Sequence, residues 1–481
     1  MLKFVRFSLS PLLKDASLLF FLGCLLLAVV TSVQTRRERC LLVKTEDEGG
    51  VLPDTLRVVT LSGSTTYFQY RGEDMGYEYE LVKLYADHIG KPISLQLASS
   101  AEAMLMAIDS GYADLCITPQ AETQTAKKRF LFVGPREESA MVLVQRRSDS
   151  VLRSAAELPG HRITVAAHTR CAYRLHHVDK ELGGGVDSTV LYNDTITDED
   201  LIESVAEHRI DLTFADEKLA KLSHTYYRNI DVSVPVGLSQ SLSWIVRKDK
   251  KTLASSIDEW SRGIPAKESY RMIYKRYFEE SKQESGEDAC EKGREQGPYK
   301  KKAGALSPFD DLFKKEAKRI GWPWQLLASI AYHESRFTAD VVGWSGARGL
   351  MGIMPATGRI YGAGKADLLN PEVSVRVSVS CLIATKKALG DLPEDESSMK
   401  IILAAYNAGV AHLQDAMRLA EKYGCDPHRW EENVEAFLKL KNEPHYYNDP
   451  VCKAGYLRGK AVARYAESVM SWYHEHRKVV Y

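Results

Sequence analysis

Glu334 closes a strongly apolar stretch, Gln325-Leu326-Leu327-Ala328-Ser329-Ile330-Ala331-Tyr332, and a glycine-rich loop from Gly343 to Gly352 follows it closely. A carboxyl group held against apolar surface has its pKa raised, because burial disfavours the charged form. A carboxylic acid that stays protonated near neutrality is what glycosidic cleavage needs to protonate the leaving oxygen. A Glu taken at random sits on a solvated face. The apolar run before this one and the loop after it move the balance, since such loops carry function more often than helices do. Ordinary glycosidases need a second carboxylate; none is obvious here, and Asp340 is the one runner.

These residues need a scaffold, and the sequence from Phe309 onward reads as nearly all helical. Phe309, Leu312, Phe313, Ala317 and Ile320 fall at helical spacing, and Pro323 fits the first turn of the helix that ends near Glu334. Further helices are expected over Val373–Leu389, Met399–Ala408, Val410–Lys422 and Ala461–Tyr473. Upstream, from Leu56 to about Gly263, short β-branched runs alternate with amphipathic stretches. Strands are expected at 56–60, 115–117, 140–144, 162–166 and 210–214, with helices at 79–89 and 270–278. That alternation predicts an α/β domain with a mainly parallel sheet. Between the two regions, 281–304 is rich in Glu, Lys, Gln, Gly and Ser and reads as a linker. The resulting division is 1–40 for a signal or membrane anchor, 55–265 for the α/β domain, 281–305 for the linker and 306–481 for the helical domain.

The helical region resembles the soluble-lytic-transglycosylase-type domains in three blocks taken in order. These are Glu334-Ser335, Gly346-Ala347-Arg348-Gly349-Leu350-Met351 with Ile353-Met354-Pro355, and Ala405-Tyr406-Asn407-Ala408-Gly409. The stretch from Tyr406 through Pro444-His445-Tyr446-Tyr447 to Arg458-Gly459 and Tyr465 is similar to the membrane-bound lytic transglycosylase F branch, which joins a periplasmic solute-binding-like domain to the catalytic one. The resemblance implies a lysozyme-like fold and peptidoglycan as substrate. It makes Glu334 the acid that protonates the oxygen leaving from the MurNAc–GlcNAc β-1,4 bond. Glu334 then acts as the base that draws the proton from the C6 hydroxyl of the same MurNAc, closing a 1,6-anhydro ring. One carboxylate suffices because that hydroxyl replaces an activated water. By the same resemblance Ser335, Met351, Met354, Tyr406, Asn407 and Tyr465 bind substrate or approach the acid, and no cofactor or metal is called for. Filling of the core by the two methionines is the alternative that Met chemistry leaves open. The chain departs from the family at Gly343, where many relatives carry Ser, at Gly352, where they carry Gln, and at Ala461, where Glu is frequent. The first two departures bear on sugar binding, not on the acid.

The α/β region resembles the solute-binding domains that capture amino acids in the bacterial periplasm, a two-lobed fold. The similarity rests on Gly76-Tyr77-Glu78-Tyr79-Glu80-Leu81, Ile108-Asp109-Ser110-Gly111-Tyr112-Ala113-Asp114, Leu158-Pro159-Gly160-His161-Arg162-Ile163-Thr164-Val165, and Arg209-Ile210-Asp211 with Asp216. It implies that Asp216 meets a ligand ammonium and that an Arg after Thr118-Pro119 clamps a carboxylate. Ala126 stands nearest that Arg position, which leaves Arg129 as the substitute or as a surface charge. An amino acid, a peptide or a muropeptide is the ligand class implied.

Lys plus Arg and Asp plus Glu number 64 each, so no net charge draws the chain to nucleic acid. Lys3, Arg6 and Lys14 precede an apolar run from Ala16 to Val33, and Arg36, Arg37 and Arg39 follow it. About 18 such residues just span a bilayer, and no A-x-A-like cleavage site follows, which favours an uncleaved anchor over a signal peptide. The remainder is expected in the periplasm, associated with the inner membrane through that anchor or with the outer membrane peripherally. Eight cysteines show no metal-ligand spacing; Cys425 with Cys452 is a pairing to check against isolated buried thiols. Two other activities stay open, a hydrolytic lysozyme and a non-catalytic solute or glycan sensor.

Overall fold

The computed structural model describes residues 51–148, 151–167, 169–192, 196–280 and 305–478. The apolar run at 16–33 and most of the charged linker lie outside the described residues. Among those described, no helix is long and apolar enough to cross a membrane.

The first lobe is built on a five-stranded sheet in the order β4-β1-β5-β12-β6. Its strands are β1 (Leu56–Leu61), β4 (Ile93–Ala98), β5 (Leu115–Ala121), β6 (Phe130–Ser139) and β12 (Gln240–Arg247). Leu56, Val58 and Val59 of β1 are fully buried, as expected of a strand covered on both faces. Helices α1 (Tyr77–Ile89), α2 (Ala101–Asp109) and α3 (Gln124–Arg129) belong to this lobe. A two-stranded hairpin, β2 (Phe68–Tyr70) paired with β3 (Glu73–Met75), projects from it.

The second lobe holds β7 (Met141–Arg146), β8 (Arg162–Ala166), β9 (Asp187–Leu191), β10 (Thr213–Asp216) and β11 (Ile230–Pro235), with α4 (Arg170–Glu181), α5 (Asp198–Ala206) and α6 (Glu217–Tyr226). The chain crosses between lobes twice, from β6 into β7 and from β11 back into β12. Helices α7 (Lys251–Gly263) and α8 (Glu268–Phe278) then close the domain.

The sheets correct the expectation of mainly parallel pairing. β1 runs parallel to β4 and β5, and β8 runs parallel to β9, but β12 is antiparallel to β5 and β6, and β7 is antiparallel to β10 and β11. The two crossings are the cause: β7 enters the second lobe and β11 leaves it in the opposite direction, and β12 then re-enters the first lobe against β5 and β6. The strand expected at 210–214 forms at Thr213–Asp216, where Thr213 meets Val144.

The C-terminal region folds as α9 (Asp310–Ile320), α10 (Trp324–Ser335), α11 (Pro355–Ile360), α12 (Pro371–Ala388), α13 (Glu396–Ala408), α14 (Val410–Lys422), α15 (Glu435–Lys439), α16 (Pro444–Tyr447) and α17 (Gly459–His476). One core runs through it, including Leu326, Leu327, Ile330 and Ala331 of α10, Leu403 of α13 and Val469 of α17. Burying each of these Leu, Ile and Val side chains contributes about 1.5–3 kcal/mol, so α10 is fixed along most of its length. Cys425 and Cys452 are free thiols, which corrects the suggested pairing; the Cys452 thiol lies 3.2 Å from the Tyr446 carbonyl.

Candidate active site

Pro323 stands immediately before α10, and the helix ends one residue after Glu334. Arg336 and Phe337 then take left-handed φ values of 51° and 62°, a conformation costly for side chains of this size. The sharp exit is held by Ser335, whose hydroxyl reaches the carbonyls of Ala331 (3.0 Å) and Leu350 (2.8 Å). Ser335 is therefore buried and ties the helix end to the glycine-rich loop. Ser329, one helical turn and a half earlier, donates to the Val469 carbonyl (2.6 Å), joining α10 to α17.

That junction brings Tyr465 of α17 to the acid, with its hydroxyl donating to Glu334 Oε1 at 2.9 Å. Burial first, then the facing Glu334 carboxylate, push the Tyr465 phenol well above its ordinary range, so it remains a proton-bearing donor. Tyr406 of α13 is buried beside them. Its hydroxyl donates to the Met351 carbonyl (2.7 Å) and lies 3.0 Å from Ser378 Oγ. Ser374 Oγ accepts from the Met351 amide (3.1 Å). Met351 and Met354 are buried, at 0% and 2% exposure, and Met351 packs in the domain core. Asn407 lies half-buried one residue on from Tyr406. Asp340, the runner for a second carboxylate, is exposed.

The environment of Glu334 differs from the apolar pocket expected of it. Arg71, on the turn of the β2–β3 hairpin and 263 positions away, donates from Nη2 to both carboxylate oxygens at 2.9 Å. The two side chains keep only 9% and 6% of their exposure. Burial works against the Arg71 charge, but Glu334, Tyr70, Tyr465 and Tyr406 carry the guanidinium well above its usual range. A carboxylate that accepts from a guanidinium on both oxygens has those oxygens covered from the side a leaving group would approach.

The rest of the hairpin lies along the groove. The Arg71 amide donates to the Ala408 carbonyl (3.0 Å) and its Nη1 to the Gly352 carbonyl (2.5 Å). The Glu73 carboxylate accepts from the Ala356 amide (3.1 Å). His412 Nε2 donates to the Gln69 carbonyl (3.2 Å). The Tyr70 ring lies against Trp344, with centroids 5.7 Å apart and planes at 31°. Two glycines make the fit possible. A Cβ on Gly352 would stand 2.1 Å from Glu334 Oε2 and 3.1 Å from Arg71 Nη1, and one on Gly409 would stand 3.2 Å from the Gly72 amide. Gly352 thus leaves space that the carboxylate and guanidinium fill. Arg71, Tyr70 and Glu73 escaped the sequence reading because no motif or periodicity links them to a site on another domain. Gly352 was the one signal in the sequence, as a departure from the family pattern.

The candidate ligand residues of the first domain are not brought together by any contact. Arg129 pairs with Asp109 on the first lobe and is half-exposed. Asp216 caps α6 by accepting from the Lys218 amide (3.0 Å), and Ser139 Oγ lies 3.3 Å from it. Among the described residues, no group of three or more His, Cys, Asp or Glu could hold a metal ion.

The two regions match separate families. Residues 57–280 match the bacterial extracellular solute-binding proteins, family 3, and residues 311–427 match the transglycosylase SLT domain. The class is thus an SLT transglycosylase domain carried behind a two-lobed solute-binding domain. The chain is 28% identical over 417 residues to the membrane-bound lytic murein transglycosylase F of Desulfosudis oleivorans, covering 86% of this chain and 88% of that protein. It is 27% identical over 425 residues to the protein of the same name from Pseudomonas fluorescens strain ATCC BAA-477, covering 87% and 84%. Among solved structures, substrate-binding domain 2 of Lactococcus lactis GlnP in its open conformation aligns with 48% of this chain and 99% of its own, at 18% identity and a TM-score of 0.41. With both domains present in order and similarity over most of its length, the chain has the two-domain architecture of the relatives named membrane-bound lytic murein transglycosylase F.

Proposed function

We propose that this protein is a peptidoglycan lytic transglycosylase whose solute-binding domain holds the catalytic groove closed. The carrying observation is Glu334, a single carboxyl group fixed at a helix end, hydrogen-bonded by Tyr465 and covered by Arg71 of the other domain. With the hairpin withdrawn, Glu334 gives its proton to the oxygen leaving from the MurNAc–GlcNAc β-1,4 bond. It then takes the proton of the C6 hydroxyl of that MurNAc as this oxygen closes onto C1. The acid ends as it began, and no water enters the product. Tyr465 orients the carboxyl through its 2.9 Å hydrogen bond. Ser335 and Tyr406 hold the helix end and the loop in register, Asn407 lines the cleft beside them, and the buried Met351 and Met354 shape its floor from below.

The solute-binding domain supplies the control. A small ligand that binds one arrangement of the two lobes better than another shifts the hairpin between seated and withdrawn positions. An amino acid, a peptide or a muropeptide fits such a module, with Asp216 and Arg129 as its candidate polar contacts, Arg129 being paired to Asp109 on the surface in this state. The relatives' name, membrane-bound and acting on murein, supports a periplasmic, membrane-associated protein.

The test is mass spectrometry of purified peptidoglycan digested with the native chain, Arg71→Ala, and Arg71→Ala/Glu334→Gln. Anhydro-muropeptides that rise in Arg71→Ala and vanish in the double variant are the expected result. Reducing ends would make the protein a lysozyme. A folded Arg71→Ala chain that releases nothing, even with muropeptides present, would make it a binding protein.

A further inference from the structure

We infer that Trp344 is a sugar-stacking platform of the catalytic groove, covered in this state by the Tyr70 ring of the hairpin; the inference rests on the transglycosylase reading. Trp344 belongs to the glycine-rich loop of the catalytic domain, yet it packs against the hydrophobic cluster of the first lobe. Its neighbour there is Tyr70, at 5.7 Å between centroids and 31° between planes. Tyr70 in turn carries the Arg71 guanidinium 5.2 Å from its ring centre and accepts from Arg71 Nε at 3.1 Å. Two ring-scale contacts therefore lead from the indole to the group seated on Glu334. An occupant that replaced the hairpin would place one six-membered ring on Trp344 while an adjoining bond reached the acid.

The chemistry of that occupant follows from what the hairpin satisfies. Arg71 donates to the carbonyls of Gly352 and Ala408, and Glu73 accepts from the Ala356 amide. Buried backbone groups need partners in either state, so the incoming molecule must offer donors and an acceptor along one edge. It must also offer an apolar face, since an aromatic ring stripped of its cover favours apolar contact on its flat side. A pyranose with hydroxyl and acetamido groups has this combination, with C–H bonds on its faces and polar groups on its rim. The loop fixes the indole in place: Gly343 N donates to the Ala347 carbonyl (2.8 Å), and Arg348 and Ile353 exchange backbone hydrogen bonds at 2.9 Å each. A platform held this rigidly loses little freedom on binding.

The experiment uses the full chain with the cover removed, Tyr70→Ala/Arg71→Ala, and the same chain further carrying Trp344→Ala or Trp344→Phe. Calorimetric binding of chitotetraose to these chains, each made inert with Glu334→Gln, reads the platform without turnover. The expected result is roughly tenfold weaker binding with Ala and nearly full binding with Phe. In the active versions, KM for glycan strands should rise by a similar factor in Trp344→Ala with kcat little changed. Equal binding with and without the indole, or no binding by the uncovered chain, overturns the assignment. So does activation of the otherwise native chain by Trp344→Ala with unchanged KM in the uncovered one, which would make Trp344 only a seat for the hairpin. Because binding is read in inert chains, failure of the transglycosylase reading shows separately, as absent anhydro products from the uncovered chain.

Discussion

At the residue scale the site is defined by two side chains on one carboxyl group. Tyr465 supports Glu334 at Oε1 and Arg71 spans both oxygens, so the same carboxylate has one partner from its own domain and one from another. In the Arg71→Ala background, Tyr465→Phe should lower kcat roughly ten- to hundredfold with KM nearly unchanged, since a hydrogen bond to a charged group contributes about 1.5–3 kcal/mol. Circular dichroism should stay native, because the ring still fills its buried place. An unaltered kcat would reduce Tyr465 to a packing residue. The convergence of Glu334, Tyr406 and Tyr465 on one place was legible in the sequence through the order and spacing of their blocks. The functions of Ser335 and the methionines were not, because a motif says which residues recur, not whether a hydroxyl faces the substrate or two backbone carbonyls. Arg71 was illegible for a different reason. Its type is ordinary, its neighbours Tyr70 and Gly72 read as a turn, and its partner lies on a separately folding unit.

At the scale of elements the β2–β3 hairpin is a short, two-stranded projection that gains its hold from the groove more than from its own pairing. A hairpin of three residues a side is marginal alone, and here it is fixed through backbone bonds to Ala408 and Gly352 and through His412. His412 is buried at 1% exposure. Burial, reinforced by nearby Lys441, pushes its imidazole down to about 3. An imidazole in the unfolded chain titrates near 6.5. Between about 6.5 and 3 the unfolded chain therefore binds a proton that the folded chain does not, and stability falls as the pH drops through that window. The limit is about 1.4 kcal/mol per pH unit for one such group. His412→Gln keeps a donor for the Gln69 carbonyl and removes the titration. Its urea stability should fall less steeply than that of the native chain between pH 6 and 4, by about 1 kcal/mol per unit. Parallel slopes would mean that His412 takes up its proton without leaving the fold.

At the scale of the molecule the sequence already foretold an α/β domain followed by a helical one, because composition and periodicity are local; most of the linker expected between them lies outside the described residues. How the domains face one another is set by single side chains that no period marks. The two lobes are tied together by Lys218 of α6, which pairs with Glu78 (2.6 Å) and Glu137 of the first lobe, while Trp244 Nε1 donates to Glu78 (2.7 Å). Glu199 of α5 accepts from Ser64 of the first lobe and from Tyr456 of the catalytic domain. The catalytic domain thus touches both lobes, through the hairpin on one side and through α5 on the other. A change in the angle between lobes cannot leave both contacts as they are.

The α5 contact carries its own prediction, because it ends on α17, the helix that brings Tyr465 to Glu334. Glu203 lies 3.0 Å from Arg464 and 3.3 Å from Lys460, and Asp200 accepts from Asn442 (3.0 Å) and from Lys460. Arg464 keeps 54% of its exposure and Lys460 36%, so each pair is worth at most about 1 kcal/mol and weakens with salt. Arg464→Glu places a carboxylate against Glu203 and Glu207, whose oxygens lie 3.0 and 3.8 Å from the guanidinium it replaces. Amide hydrogen exchange in the first turns of α17 should then quicken severalfold, more so at low ionic strength, where like charges repel over a longer range. Adding Glu203→Arg should restore part of the protection, since the pair with position 464 is rebuilt with its signs reversed while Lys460 then faces a like charge. Recovery in the double variant would establish that lobe 2 steadies the helix bearing Tyr465. Exchange that stays fast in both variants would place the hold on α17 in its own domain, where Ser329 meets Val469 and Tyr332 stacks on Trp472.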